Sequence, residues 1–99
     1  MADVNFKLNE TAFVWDSEKE KANIRNHDGI SFRLAATAFF DPFLKLIDAS
    51  RNDETRDAIV GFDKKGRLLF VVHMELEEEA IRIISARQAT SSERDFYDS

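Results

Sequence analysis

Ninety-nine residues with a hydrophobic fraction of 43% make one folded domain, too short for a second core and too apolar for wholesale disorder. The formal net charge of −5 argues against a broad basic face for non-specific nucleic-acid binding, while leaving room for a local cluster of arginines. The chain has no cysteine, which excludes disulfides, thiolate zinc sites and cysteine nucleophiles and suits a reducing compartment.

In chain order, Val4, Phe6 and Leu8 alternate with Asn5, Lys7 and Asn9, the two-residue period of a strand. Asn9, Glu10 and Thr11 read as a turn, and residues 12–15 as a short second strand. Asp16 can cap a helix over 17–26 that is polar all round, leaving only Ala22 and Ile24 to bury. His27, Asp28 and Gly29 break it. Ser31 starts a second helix, with Phe32, Ala35, Ala36, Phe39 and Phe43 at helical spacing and Asp41-Pro42 as its stop. Strands are expected over 44–48, 56–62, 68–75 and 80–86, with a polar loop over 49–55. Asp63-Lys64-Lys65-Gly66 is a hairpin turn in which Gly66 is free to take positive φ. Ser91 or Ser92 caps a last short helix containing Glu93 and Tyr97.

The fold class that follows is α+β over residues 1–99: a largely antiparallel sheet, two N-terminal helices and a short C-terminal helix, all packed on one face. Residues 1–12 form an N-terminal extension or an extra strand. Phe32, Phe39, Phe43, Phe62 and Phe70 are expected in the core rather than as base-stacking platforms. The longest apolar run, 68–72, is too short to cross a bilayer and no basic-then-apolar leader opens the sequence, so the expectation is a cytoplasmic protein with no membrane segment.

Strand alternation divides the later strands into faces. In the strand over 68–75, Leu68, Phe70, Val72 and Met74 are all apolar and read as the core row, which leaves Leu69, Val71, His73 and Glu75 on the other side. In the next strand, Ile81 and Ile83 read as core, with Ser85 and Arg87 on their side and Arg82, Ile84 and Ala86 opposite. Arg82 and Arg87 are five residues apart, so straight alternation sends them to opposite faces. Arg82 then shares a side with His73 and Glu75, and Arg87 starts on the core side with a stem long enough to reach the rim.

Several separated motifs occur in a fixed order. They are Trp15-Asp16, then Lys19 and Asn23, then His27 and Gly29 ahead of Ser31-Phe32, and AATAFFDP from Ala35. They continue with Glu54-Thr55-Arg56, Gly61, GRLLFVV from Gly66, RIISARQAT from Arg82, and Glu93 with Tyr97. Over residues 13–97 this pattern resembles the BrnT family, the toxin half of BrnT/BrnA toxin–antitoxin systems. The resemblance implies a RelE-like fold and a metal-independent ribonuclease that cuts RNA to arrest growth. It also implies a small DNA-binding, ribbon-helix-helix antitoxin of the BrnA type that buries the toxin's active face, with operator DNA reached only through that antitoxin. The chain departs from the family pattern in its Asn26-His27-Asp28-Gly29 segment, where the family usually reads Lys-His-Gly. It departs again in the acidic Leu76-Glu77-Glu78-Glu79 loop and in its longer N-terminus.

Metal-free RNA cleavage needs a base for the 2′-hydroxyl, cations for the charge that builds on phosphorus, and an acid for the leaving 5′-oxygen. Arginine suits the middle role and histidine either proton transfer. The candidate catalytic set is therefore His27, Glu54, Arg56, His73, Arg82, Arg87 and Tyr97, and the candidate RNA or phosphate contacts are Lys19, Arg51 and Arg82. No metal or cofactor is expected. Each has a plainer reading: His27 as a helix-end residue, His73 as a half-buried partner of Glu75, Glu54–Arg56 as an exposed ion pair, Arg87 as a clasp on the last helix, Tyr97 as an apolar anchor, Lys19 and Arg51 as solvated surface. Two functions follow, an RNA-cleaving toxin and a catalytically weak toxin-fold module that pairs with an antitoxin or another protein. Homodimerisation is left open.

Overall fold

In the computed structural model, which describes residues 2–99 apart from the side chain of Glu78, the N-terminal alternation closes into a hairpin. β1 (Asp3–Leu8) pairs antiparallel with β2 (Thr11–Asp16) across Asn9 and Glu10, both at positive φ as a two-residue hairpin demands. Asp16 ends β2 and caps α1 (Ser17–Asn26), its carboxylate accepting the Glu18 N–H at 2.8 Å. Ser31 caps α2 (Phe32–Thr37) in the same way through the Leu34 N–H. The expected long second helix stops early. At Thr37 the hydroxyl turns back to donate to the Leu34 carbonyl at 2.6 Å, and a single 3-10 turn, Ala38–Phe40, follows. Gly61 explains the tight passage, because a Cβ there would lie 2.8 Å from the Ala38 carbonyl oxygen.

β3 (Lys45–Asp48), β4 (Asp57–Phe62), β5 (Leu68–Glu75) and β6 (Ala80–Gln88) complete a sheet in the order β1-β2-β6-β5-β4-β3, and α3 (Ser91–Asp98) ends the chain. This corrects the expectation of a largely antiparallel sheet: the sheet is mixed. β6, last in sequence, inserts between β2 and β5. Its direction is set by its antiparallel hairpin with β5, so it runs parallel to β2.

The helix layout is corrected too. The core holds Ile30, Phe32, Ala35 and Ala36 against Phe13, Trp15, Ile59, Leu69, Val71, Ile83 and Ala86, so α1 and α2 cover one face. α3 lies on the other. Tyr97 packs edge-on against Phe62 with ring centroids 5.3 Å apart, and Lys45 reaches the Phe96 and Ser99 carbonyls.

The core row of β5 is thus Leu69, Val71 and His73, not Leu68, Phe70, Val72 and Met74 as hydropathy alone suggested. Both rows are apolar because both faces of this strand are partly covered, so hydropathy could not choose between them. Phe43, expected in the core, is 73% exposed because it falls beyond the shortened helix. α1 buries Asn23 rather than Ile24, which is 40% exposed. The Asn23 amide donates to the Ile30 and Ala86 carbonyls at 3.0 and 2.9 Å and accepts the Ala86 N–H at 3.0 Å, tying α1, the following loop and β6 together.

Replacing Asn23 by Leu strands a buried N–H and two carbonyls, so the expected loss is about 3 kcal/mol of unfolding free energy. Urea denaturation checks this; a variant with an unchanged midpoint would show that the amide is not a tie.

Candidate functional site

β6 is not straight. Val72 lies opposite Ser85 and His73 opposite Ile83, which leaves Ile84 without a partner on β5. One extra residue on one strand is a β-bulge, and it resets the alternation beyond it. Met74 faces Arg82, Val72 faces Ser85 and Phe70 faces Arg87, so both arginines stand on the face away from α1 and α2. This corrects three expectations. Arg82 and Arg87 share a side, Arg87 never belongs to the core row, and Arg82 is not on the side of His73.

On that open face lies a cleft of about 500 Å³, lined by Asp48, Ser50, Arg51, Arg56, Phe70, Val72, Ile84, Ser85 and Arg87. The loop between β3 and β4 forms one wall by continuing their hairpin. The Ala49 N–H donates to the Arg56 carbonyl at 2.9 Å, Arg51 and Glu54 exchange backbone hydrogen bonds at 3.1 and 2.9 Å, and the Ser50 hydroxyl accepts the Arg56 N–H at 3.1 Å. Asp48 accepts the Ser50 N–H at 2.9 Å in an Asx turn, and its hydrogen bonds from Ser50 hold its carboxyl below the usual carboxylate range.

Three of the expected residues, Arg51, Arg56 and Arg87, therefore meet in one place, with Glu54 beside them. The Glu54 carboxylate is 2.6 Å from an Arg56 guanidinium nitrogen, while the Arg56 Nε is buried and without a hydrogen-bond partner. Among the described residues Arg51 has no ion pair. Arg87 lies over the Phe70 ring, 4.3 Å from its centroid, and donates twice to Glu93 at 2.7 and 2.9 Å. Those bonds hold the Glu93 carboxyl below its usual value against the opposing effect of burial, and they push the Arg87 guanidinium up. Glu93 also completes a capping box with Thr90, one position before the serines expected to cap α3.

The other expected residues lie elsewhere. Arg82 stands on the same face outside the cleft, paired with Asp3 of β1 at 3.1 Å. Tyr97 donates to Asp41 at 2.6 Å, and burial with that hydrogen bond raises its pKa to about 12. Lys19 is exposed on α1, and His27 forms the C-cap of that helix. His73 is 2% exposed on the helix-covered face, edge-on to Phe39 with centroids 4.9 Å apart and its Nδ1 3.4 Å from the Val71 carbonyl oxygen. Burial pushes its pKa down, which keeps the ring neutral at pH 7. Asp48, Ser50, Phe70 and Ser85 were not anticipated as cleft residues. Only the Asp48-Ala49-Ser50 turn chemistry signalled any of them.

These features define a small α+β domain whose open sheet face carries an arginine-lined cleft. The family model described as the ribonuclease toxin, BrnT, of type II toxin–antitoxin systems matches residues 15–93. The chain belongs to that family. Among solved structures it is similar to the ribonuclease toxin BrnT of Brucella abortus, with 24% identity and a TM-score of 0.55 over 78% of this chain and 94% of that one, a likeness in fold. No curated protein matches the chain. Among the described residues no helix is long and apolar enough to cross a membrane.

Arg87→Ala is expected to lower stability by about 1–2 kcal/mol after allowance for solvent screening, because it releases α3. Arg82→Ala, which removes only an exposed pair, should cost under about 1 kcal/mol. Equal melting temperatures for the two variants would contradict this division. A second check uses pH. Because the folded-state pKa of Glu93 is depressed, its stabilisation is fully present above the ordinary value of 4.5 and is lost as pH falls through the folded value. The stability gap between the native protein and Glu93→Gln should therefore shrink on acidification from pH 7 to pH 3; a gap independent of pH would sink the clasp.

Proposed function

We propose that this chain is a toxin that cuts RNA without a metal ion, acting in the cytoplasm, and that the cleft of Arg51, Arg56 and Arg87 is where it does so. The observation that carries this reading is the convergence of three guanidinium groups on one cleft in a chain of net charge −5. Such a cluster has a use when the ligand is a phosphodiester. Arg51, which lines the cleft and has no ion pair among the described residues, supports it, since its guanidinium is available to a phosphate oxygen.

In this scheme the ribose 2′-oxygen attacks phosphorus as Glu54 takes its proton, and the bond to the 5′-oxygen breaks to leave a 2′,3′-cyclic phosphate, the departing 5′-oxygen taking a proton from water. Arg51, Arg56 and Arg87 hold the charge that develops on the non-bridging oxygens. Glu54 stands beside the cleft, its carboxylate 2.6 Å from the Arg56 guanidinium that lines it. Arg82 would take a more distant phosphate along the same face. His27, His73 and Lys19 have no part in the reacting centre of this scheme, and Tyr97 keeps its tie to Asp41.

Membership of a toxin–antitoxin family implies an antitoxin partner. A BrnA-like ribbon-helix-helix protein covering this face would neutralise it, reaching operator DNA through its own domain. One observation favours a second reading: Arg56 and Arg87 are already neutralised by Glu54 and Glu93, which suits a weakly active module that binds an antitoxin.

Purified protein incubated with cellular RNA in the presence of EDTA separates the two. Cleavage is expected, with Arg56→Ala and Glu54→Gln each slowing it by about 10²–10³ and His27→Ala changing it only a few-fold. Intact RNA alongside stable antitoxin binding would favour the weak module instead.

A further inference from the structure

A second concentration of positive charge lies on the opposite side of the molecule. A cavity of about 470 Å³ is lined by Arg33, Lys64, Lys65 and Arg67, with Phe6, Leu8 and Leu34 among its apolar walls and Asp28 as its one lining carboxylate. Four cations against Asp28 and the Asp63 carboxylate paired with Arg67 give a local surplus of two positive charges in a chain whose net charge is −5.

The backbone that carries these cations is fixed in place. The buried Asp63 carboxylate accepts the Lys65 and Arg67 N–H groups at 2.9 Å and pairs with Arg67 Nε at 3.1 Å, which sets the turn that presents both lysines. The Lys64 N–H donates to Thr37 Oγ1 at 2.9 Å and so docks the turn on α2. Arg33 stacks over Phe6 at 4.7 Å from the ring centroid. Among the described residues Arg33, Lys64 and Lys65 have no ion-pair partner, and the Asp28 carboxylate is taken by the Gln88 side chain at 3.1 Å.

Phe6 and Leu8 belong to β1, which precedes the residues matched by the family model, 15–93. One wall of the cavity is therefore supplied by a strand outside that match. We infer that this cavity is a binding site for a phosphate-bearing ligand, separate from the cleft on the open face. A lone carboxylate would leave half of the cationic surplus unmatched, whereas a terminal phosphate near pH 7 carries close to two charges and three acceptor oxygens. The apolar wall beside the cations fits the nucleoside part of a mononucleotide or of a strand end.

The site can be read whether or not the chain cuts RNA, because its residues lie away from the cleft. Amide NMR titrations of the full chain with inorganic phosphate, with adenosine 5′-monophosphate and with a glutamate-rich peptide test it. The inference predicts saturable shifts at Gly29, Lys64, Lys65 and Arg67 with the two phosphates, tighter for the nucleotide. It also predicts at least a ten-fold weaker Kd in Lys64→Ala/Lys65→Ala, two exposed positions whose loss leaves the melt unchanged. Phosphate and nucleotide that fail to bind, binding that survives the double substitution, or a peptide that binds where phosphate does not, would each overturn it.

Discussion

Ile84 has no partner across the β5–β6 ladder, and that one irregularity determines what the open face can do. A straight strand would turn Arg87 toward the helices, where a charge could not be solvated. The bulge instead returns Arg87 to the side of Arg82 and points both Ile84 and Ser85 into the cleft. The same irregularity lets Ile83 and Ala86, three residues apart, both reach the core. Packing on one face and the arginine-lined cleft on the other thus depend on the same extra residue. Asn23 binds the Ala86 backbone just beyond the bulge and fixes β6 there.

Charge is sorted by the same geometry. The last helix crosses the open face because Arg87 grips Glu93 there, with the guanidinium resting on Phe70. α3 in turn covers the β4 end of that face and confines the exposed part to a cleft between Arg87 and the β3–β4 loop. Both histidines fall outside it, His73 by burial and His27 by its place at the end of α1. A site of this composition has to work with carboxylate and guanidinium groups, which is why Glu54 takes the role of base in the proposed reaction. The N-terminal hairpin adds two contacts of its own, Asp3 on Arg82 and Phe6 beneath Arg33. Its first strand, β1, bears on both faces of the sheet and lies outside the family match.

Much of this was legible in the sequence. Cap residues and turn chemistry located α1, the start of α2 and the hairpin at Gly66, which does take φ of +83°. The order of the elements was readable for the same reason. Alternation failed where its premises failed. It assumes an unbroken period of two, and the bulge is written in no special residue, since Ile84 suits a regular strand. It also assumes one dry face and one wet face, whereas β5 is apolar on both. The end of α2 was misplaced because Phe39 and Phe43 keep helical spacing through a segment that the close approach of Gly61 forces into a 3-10 turn. The arginines of the cleft were legible as individuals, and their meeting was not, because it depends on a loop folding back against the bulged strand.

The central claim is that RNA lies on the open face, across Arg51, Arg56 and Arg87. An RNA whose 2′-hydroxyls are methylated keeps its phosphates and lacks the nucleophile, so it can be held without being cut. Mapping its contacts by amide NMR on the full chain tests the claim most directly. The account predicts salt-dependent shifts at Arg51, Arg56, Ser85 and Arg87, with His73 and Lys19 unmoved. Shifts confined to the helix-covered side, with the cleft silent at saturating RNA, would contradict it.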